Sequence, residues 1–412
     1  MSLYLLIGVI ILNYFVSQIT NFLDRRRWRN EVPKELNGVY KEDDYKRSAA
    51  YNNEVSRSNF VSETFSLIFM IALLYSGFFG FLDNIIVEFT GRGYMSLLAF
   101  FGIISAASFL FSLPFAIYRT FVIEAKFGFN KMSTGTFIGD KIKTVLIGSI
   151  IGAILLAGFF FIYDSAGAQF CIYTWFFIAT FMLVMNVLYV PLILPLFNEV
   201  KQLEDGSLRN AIRDYCTRHG FPLNEILIMD SSKRSTKANA FFSGLGPRKK
   251  IVLFDTLLNS HSDKEIVSII AHEVGHYTHK HTFKNLGFGL LQSALVIWLF
   301  AWFIENQDVA MALGAQQNSV ELSLFAFGIV YSPFSLITGF LVNYFSRKFE
   351  YEADAYAAIS SSSEDLQSAL LKLTTNNLSN PDPHPFTVFA HYSHPPILQR
   401  LRNLSYFRSE NV

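Results

Sequence analysis

Charged residues are scarce in this chain. Asp, Glu, Lys and Arg make up only 16% of its 412 residues, whereas 51% are hydrophobic. Soluble domains carry roughly 25% charged residues. The formal net charge is +1, so no overall field attracts nucleic acid. These proportions indicate a membrane protein without a nucleic-acid partner.

Cysteine is also rare, with only Cys171 and Cys216. Two cysteines in segments of different character do not predict a disulfide framework, and the spacing of cysteine-based zinc sites is absent. Any metal site in this chain therefore has to be built from histidine and carboxylate side chains.

Long uncharged stretches recur along the chain. A helix that crosses the ~30 Å hydrocarbon core of a bilayer needs about 20 apolar residues. Seven stretches without Asp, Glu, Lys or Arg reach or approach that length: Leu3–Thr20, Thr64–Leu82, Gly93–Tyr118, Thr144–Tyr163, Ser165–Asn198, Asn285–Ile304 and Leu322–Ser346. Pro191 and Pro195 predict a kink near the end of the fifth. Seven such stretches favour membrane spans over the alternative, buried helices of a large soluble protein.

Basic residues cluster in alternate loops. Arg25, Arg26, Arg27 and Arg29 follow the first span, and lysine or arginine also follows the third, fifth and seventh. The loops after the fourth and sixth spans contain neither. The positive-inside rule therefore predicts an outside N-terminus and a cytosolic C-terminus. Because the arginines follow the first apolar stretch, we expect an uncleaved anchor and not a signal peptide.

Two polar stretches remain beside the spans, residues 199–284 and residues 347–412. The predicted orientation puts both on the cytosolic face, where we expect them to pack into one domain. Residues 1–198 then hold spans one to five with their cytosolic loops, and residues 285–346 hold spans six and seven.

The motif His272-Glu273-x-x-His276 lies in the first polar stretch. Ser262 and Glu265 upstream fit a capping box, and apolar residues follow at helical spacing. On a helix the two histidines share one face, so their imidazoles can bind one Zn²⁺ at about 2.0–2.1 Å each. Glu273 can then activate a water molecule without being a ligand. The alternative is a helix whose histidines are merely polar.

A catalytic zinc site needs a third protein ligand. Glu350 and Asp354 lie one helical turn apart after the seventh span. Glu350 is the predicted ligand, and Asp354 the acceptor for a ligating imidazole. Glu352 is the competing carboxylate, but it points about 200° away around the helix. His279 stays open as a further ligand, and a solvated acidic patch is the alternative to the whole pattern.

Two short β-prone runs between Asn239 and Asp255 flank the turn signal Gly244-Leu245-Gly246-Pro247. They predict a hairpin beside the zinc helix. An extended peptide could pair with its free edge through main-chain hydrogen bonds. The alternative is a hairpin that only covers the core.

Further segments, together with the zinc motif, resemble the Ste24-type CAAX prenyl endopeptidases, membrane zinc proteases of family M48. They follow the order of the family and cover most of the chain from about Phe60 onward. The matching segments are Tyr118–Glu124, Gly128–Asn130, Ser232–Ser235, Asn239–Gly244, Ile251–Leu258, Ser346–Glu350, Ala353–Ala355 and Tyr392–Pro396.

The resemblance implies an all-α integral membrane protein. Its seven transmembrane helices would form a barrel-like bundle around a water-filled chamber, with a zincin-like α+β metalloprotease domain on the cytosolic side. One Zn²⁺ per chain would be bound by His272, His276 and Glu350. Asp354 would not bind the ion itself but would accept a hydrogen bond from a ligating imidazole. The remaining implied site residues are His394 near the zinc, Asn239 on a substrate-binding strand, and Arg400, which orients the site.

The resemblance also implies removal of the last three residues after a prenylated cysteine, from a substrate whose lipid stays in the membrane. A quality-control metalloprotease that cuts misfolded or translocon-stalled polypeptides without prenylation is the closest alternative. A non-enzymatic transporter or scaffold is a third possibility. For a eukaryotic source the family implies the endoplasmic reticulum or inner nuclear membrane, and for a bacterial source the plasma membrane.

Overall fold

The protein is described by a computed structural model that covers residues 3–28, 32–33, 36, 40–244, 249–304, 308–315, 317 and 319–409. The helices of the first half of the chain are α1 (Leu3–Arg27), α2 (Glu42–Tyr75), α3 (Phe78–Thr90), α4 (Tyr94–Tyr118), α5 (Thr134–Ser165), α6 (Phe170–Leu188) and α7 (Leu194–Phe197).

The second half of the chain adds four strands and nine more helices among the described residues. They are β1 (Val200–Gln202), α8 (Ser207–Arg218), β2 (Leu223–Met229), β3 (Ala240–Ser243), β4 (Lys249–Phe254), α9 (Asp255–Ser260), α10 (Asp263–Thr278), α11 (His281–Ile304), α12 (Asp308–Ala312), α13 (Val320–Ser360), α14 (Ser363–Asn376), α15 (Pro385–His391) and α16 (Ile397–Ser409).

Seven helical segments in the described part of the chain are long and apolar enough to cross a membrane. They correspond to α1, α2, α4 with its continuation, α5, α6 with its continuation, α11 and α13. The predicted number of spans is confirmed. A π-helical turn, Tyr189–Ile193, follows α6 at Pro191, where proline supplies no N–H for a regular helix.

The seven spans pack in a closed ring. Contacts run from α4 through α5, α6 and α11 to α13, which returns to α1, and α1 packs on α2. Between α2 and α4, Phe65 and Phe69 stack on Phe111 with ring centres 5.2 and 4.8 Å apart. This ring is the predicted barrel-like bundle.

The helices do not end where the predicted spans end. The second span was expected to reach Leu82, but α2 ends at Tyr75 because Gly77 adopts the left-handed conformation (φ 69°) and starts the separate helix α3. The seventh span was expected to end at Ser346, but α13 continues to Ser360. An apolar run predicts only the part of a helix that lies in lipid, whereas the helix itself continues through good helix-forming residues in water.

The sheet has the strand order β1-β2-β4-β3. β1 and β2 are antiparallel, β2 and β4 parallel, and β3 and β4 antiparallel, with Ala240 opposite Leu253 and Ser243 opposite Lys250. The two strands of the predicted hairpin are therefore present, while its turn at residues 245–247 lies outside the described residues. β3 forms one edge of the sheet.

Helix α10 is held in the centre of this domain. Ile266, Ile270 and Val274 lie four residues apart on one face and are at most 1% exposed, in the same cluster as Ile251 and Leu253 of β4. Burial of each such side chain stabilises the fold by roughly 1.5–3 kcal/mol. The helix starts with the predicted capping box between Ser262 and Glu265.

Helices α10 and α13 cross at unusually short distance. A Cβ atom on Gly275 would lie only 2.9 Å from the Cα atom of Ala353. Glycine at this position therefore lets the two backbones touch. This contact brings the histidine face of α10 against the carboxylates of α13.

Candidate metal centre

Three side chains converge where α10 meets α13. The Nε2 atoms of His272 and His276 are 3.2 Å apart. The Glu350 carboxylate oxygens lie 3.4 Å from the first of these nitrogens and 3.3 Å from the second. Among the described residues, these three form the one group with the composition and spacing of a metal site.

The spacing fits a tetrahedral ion. Ligands about 2.0–2.1 Å from a tetrahedral Zn²⁺ lie roughly 3.3 Å from one another. Buried Glu350 Oε2 accepts no hydrogen bond from any described residue, although buried polar atoms are normally satisfied. The donor set of two imidazoles and one carboxylate is that of catalytic zinc sites. The residues therefore fit a bound zinc ion.

The outer nitrogen of His272 is held by Asp354. Nδ1 of His272 lies 2.8 Å from Asp354 Oδ1, so an Nδ1–H group donates to the carboxylate and leaves the Nε2 lone pair free. Arg400 donates to both oxygens of Asp354, over 2.8 and 2.6 Å. A carboxylate fixed by a bidentate arginine has a defined orientation, and so has the imidazole that it holds.

The outer nitrogen of His276 has a different partner, which the sequence did not reveal. Nδ1 of His276 lies 2.9 Å from Nδ1 of His281, and Nε2 of His281 lies 2.9 Å from Glu352 Oε2. If His281 donates from Nε2 to Glu352, its Nδ1 accepts from His276. His276 then also keeps its Nε2 lone pair free for a metal.

The electrostatic environment attracts positive charge. Burial alone would lower the pKa of His272, but the carboxylates of Asp354 and Glu350 outweigh it and raise that pKa to about 10. The space between the two Nε2 atoms and Glu350 is thus favourable for a cation, because the nearby carboxylates stabilise positive charge. Glu273 lies next to it, and burial raises the pKa of its carboxyl group above the ordinary value.

A cleft of about 420 Å³ opens onto this centre. Its polar lining is formed by Asn239, His272, Glu273, His276, Glu350, His394 and Arg400. Its apolar lining includes Leu257, Ile269 and Leu370. The residues of the cleft come from β3 and the residue before it, from α9, α10, α13 and α14, and from the C-terminal segment, so the fold brings together parts of the chain that are distant in sequence.

The remaining predicted residues occupy distinct positions in this cleft. Nε2 of His394 lies 3.3 Å from Glu350 Oε1, and its side chain is 63% exposed. Buried Arg400 places Nη1 3.5 Å from Glu350 Oε2. Asn239 precedes the edge strand β3. His279, the histidine left open as a ligand, is exposed and lies outside the metal-type group of the described residues.

Two protein-family models match consecutive parts of the chain. A model described as "CAAX prenyl protease N-terminal, five membrane helices" matches residues 23–199. A model for "Peptidase family M48" matches residues 202–408.

Named relatives match over nearly the whole chain. A "CAAX prenyl protease 1 homolog" from Arabidopsis thaliana is 34% identical over 379 residues, which is 90% of this chain and 89% of the relative. One from Homo sapiens is 30% identical over 448 residues, covering 96% and 94%. The crystal structure of S. mikatae Ste24p superimposes with a TM-score of 0.92 at 29% identity, covering 98% of this chain and 99% of that one.

Proposed function

The chain belongs to peptidase family M48, among the CAAX prenyl protease 1 homologues, and from this premise we propose that it is a zinc-dependent membrane endopeptidase that removes three C-terminal residues from prenylated proteins. Membership makes it a metalloendopeptidase with several membrane spans. Zinc, the prenylated substrate and the residue roles are the proposed parts.

One observation carries the proposal. Two imidazole nitrogens and the buried carboxylate of Glu350 lie 3.2–3.4 Å from one another. The carboxyl group of Glu273 lines the same cleft and is not one of these three groups. The three groups form the donor set of a catalytic zinc site with three protein ligands, which leaves a position open for water or substrate. His272, His276 and Glu350 would hold the ion, one per chain.

Bound zinc would supply Lewis acidity, which lowers the pKa of water to about 7 and polarises a carbonyl group. Glu273 accepts the proton of the attacking water on its carboxylate. After the water oxygen has bonded to the scissile carbon, Glu273 delivers that proton to the amide nitrogen, and the C–N bond breaks. Its raised pKa suits a group that must both take and give a proton near neutral pH.

Three further residues assist this chemistry. Exposed His394 donates a hydrogen bond from Nε2 to the negative oxygen that develops on the substrate. Arg400 fixes Asp354 and through it His272. Asn239 and the open edge of β3 bind the peptide by strand addition.

The substrate proposal rests on the names of the relatives and on the membrane setting. A prenyl chain gains about 0.8 kcal/mol for each CH₂ that stays in hydrocarbon. A protease whose cleft adjoins a ring of membrane helices can therefore act on a peptide whose lipid remains in the bilayer. Membrane lipid and a prenylated C-terminus are thus the expected partners.

The proposed orientation has the cleft on the cytosolic side and the N-terminus outside. Support comes from the basic residues after spans one, three, five and seven. The catalytic domain combines residues 199–284 and 347–412, since side chains of both stretches share one buried core. A eukaryotic source would place it in the endoplasmic reticulum or inner nuclear membrane, and a bacterial source in the plasma membrane.

The test compares a farnesylated CAAX peptide with its unprenylated twin, using purified zinc-loaded protein and product mapping by mass spectrometry. We expect cleavage after the prenylated cysteine. Glu273→Gln should bind zinc normally in a metal assay but lose at least ~10²-fold in rate, because the proton acceptor is gone. Exposed Glu204→Gln is the matched control and should cleave like the native protein.

Each part of the proposal can fail separately. Full activity of Glu273→Gln would remove Glu273 from the mechanism. Equal cleavage of both peptides would favour the quality-control protease. Protein that binds no zinc and keeps its activity in chelator would contradict the metal centre.

A further inference from the structure

Lys249 carries an ammonium group that is buried in the fold. Its residue is 6% exposed at the start of β4. Nζ donates to the carbonyl oxygen of Gly244 and lies 5.7 Å from the centre of the Tyr277 ring. No carboxylate of the described residues pairs with it, whereas its neighbour Lys250 pairs with Glu225 at 2.6 Å.

Such a group is costly to the fold. Burial of an ammonium without a paired anion is unfavourable, and it lowers the pKa of Lys249 below its ordinary value. An anion that enters from outside would remove this cost. The residues around Lys249 indicate which kind of anion it can bind.

Lys249 lines a cavity of about 250 Å³ next to the catalytic cleft. Glu273 and His276 line both spaces and thus separate them. Thr282 and Asn285 add polar groups to the smaller cavity. Its apolar lining consists of Phe221, Phe241, Phe242 and Tyr277. On the side of the metal centre the lining is completed by Glu273, His276 and His281. Away from that side, the cavity offers the Lys249 ammonium, two hydrogen-bonding side chains and an aromatic wall, which suit a carboxylate attached to an apolar side chain.

The edge strand connects the two spaces. Asn239 and Ala240 line the catalytic cleft, Phe242 lines the smaller cavity, and Phe241 lines both. A strand rises about 3.3 Å per residue, so the step from residue 239 to residue 242 spans roughly 10 Å. A peptide paired with this edge would advance by about three residues over the same length.

We propose that Lys249 binds the C-terminal carboxylate of the substrate and thereby sets the cut three residues from the end. This inference rests on the proposed function, in which the leaving product is a tripeptide. The terminal carboxylate then meets the Lys249 ammonium while the scissile bond lies beside Glu273. The last side chain of the substrate lies against Phe221, Phe242 and Tyr277.

The experiment uses two farnesylated peptides that differ only at the C-terminus, one a free acid and the other a carboxamide. The native protein should cleave the acid with a kcat/KM about 10–100-fold higher, because a charge-assisted hydrogen bond is lost in the amide. In Lys249→Gln this ratio should fall toward 1 through a loss on the acid peptide. Lys249→Arg should keep part of the preference.

Lys250→Gln is the matched control, since it changes the next residue of β4 and should keep the native ratio. Two results would overturn the proposal: equal cleavage of acid and amide by the native protein, or a Lys249→Gln variant that slows both peptides by the same factor. The second result would indicate a purely structural role for Lys249.

A binding measurement keeps the inference separate from the proposed function. Calorimetry on the Glu273→Gln protein compares an apolar tripeptide acid with its amide, and we expect about 10-fold tighter binding of the acid, lost when Lys249→Gln is added. If the native protein cleaves no prenylated peptide, the proposed function fails, and this binding preference still decides the role of Lys249. Equal binding of acid and amide would contradict it.

Discussion

His281 is 1% exposed and contacts a partner with each ring nitrogen. His276 lies on one side at 2.9 Å and Glu352 on the other at 2.9 Å. The ring also stacks on Phe349, with centres 4.3 Å apart. His281 contacts Nδ1 of His276 just as Asp354 contacts Nδ1 of His272. We infer that His281 orients the His276 imidazole toward the metal.

We predict that His281→Ala lowers zinc affinity about 10–100-fold, the usual effect of removing a group that orients a metal ligand. Competition with a chromophoric zinc chelator measures this without reference to activity. His279→Ala, which changes an exposed neighbouring histidine, should bind zinc like the native protein. Unchanged affinity in folded His281→Ala would show that His276 needs no such support.

The residues of the candidate site that could be predicted from sequence are those related by the spacing of a single helix. His272 and His276, and likewise Glu350 and Asp354, are four residues apart, so each pair shares a helix face. His281 could not be found in this way. His281 lies beside His276 because α10 ends before it and Lys280 adopts φ 56°, a conformation that lysine rarely takes. Lys249 was missed because its environment depends on how the fold brings Phe221, Phe242 and Tyr277 together around it.

At the scale of elements, the metal centre depends on how closely α10 approaches α13. Gly275 is the contact point, since an added Cβ would lie 2.9 Å from Ala353 Cα and 3.1 Å from the Ala353 carbonyl oxygen. Both are backbone atoms and cannot rotate away. Any larger residue at position 275 must move one helix relative to the other.

We therefore predict that Gly275→Ala weakens zinc binding by at least ~10-fold and lowers stability by about 1–3 kcal/mol, the usual cost of overpacking. Zinc affinity and thermal unfolding in detergent are the two measurements. Gly287→Ala on α11 is the control, because its Cβ would meet nothing within 4 Å. Native-like zinc affinity in Gly275→Ala would mean that the helices tolerate a larger separation.

The start of α10 is fixed by a second, charged contact. Glu265 accepts from the backbone N–H of Ser262 at 2.8 Å, from Ser368 at 2.6 Å and from Lys372 at 2.7 Å. Burial alone would raise the pKa of Glu265, but these partners outweigh it and lower that pKa to about 2. The folded protein thus favours the ionised form more than the unfolded chain does.

The sign of the pH effect follows. A carboxyl group with a lowered folded pKa stabilises the protein fully above its unfolded value near 4.5, and this contribution is lost as the pH falls toward 2. We predict that Glu265→Gln lowers the melting temperature at pH 7, because the free energy of unfolding falls by about 1–3 kcal/mol. The difference in melting temperature between the variant and the native protein should be smaller at pH 3. A difference that is independent of pH would show that the charge of Glu265 does not matter.

At the scale of the whole molecule, the apolar run lengths predicted the seven spans because every segment that crosses the hydrocarbon core needs about 20 apolar residues. They could not predict the ring, since the pairing of spans depends on side-chain fit, such as the stacking of Phe65 on Phe111. Nor could they predict that α13 is one helix from the membrane to the metal centre. That continuity places Glu350 and Asp354 on the same rigid element as a membrane span.

The orientation of this assembly is open to a direct test. The basic loops predict that the catalytic end faces the cytosol and that the end of α5 faces outside. Lys264 is exposed at the start of α10 and Asp164 is exposed at the end of α5. In a Cys171→Ser background, with Cys216 buried in the core, each position can carry a single accessible cysteine.

We predict that, in intact bacterial cells expressing the protein in their plasma membrane, a membrane-impermeant maleimide labels Asp164→Cys but not Lys264→Cys. Permeabilised cells should show labelling of both, which confirms that each cysteine is accessible. The physical reason is that moving the arginine-rich loops across the membrane opposes the bias that sets topology. Labelling of Lys264→Cys in intact cells would show the opposite orientation, with the cleft outside. A substrate prenylated in the cytosol could then not reach it.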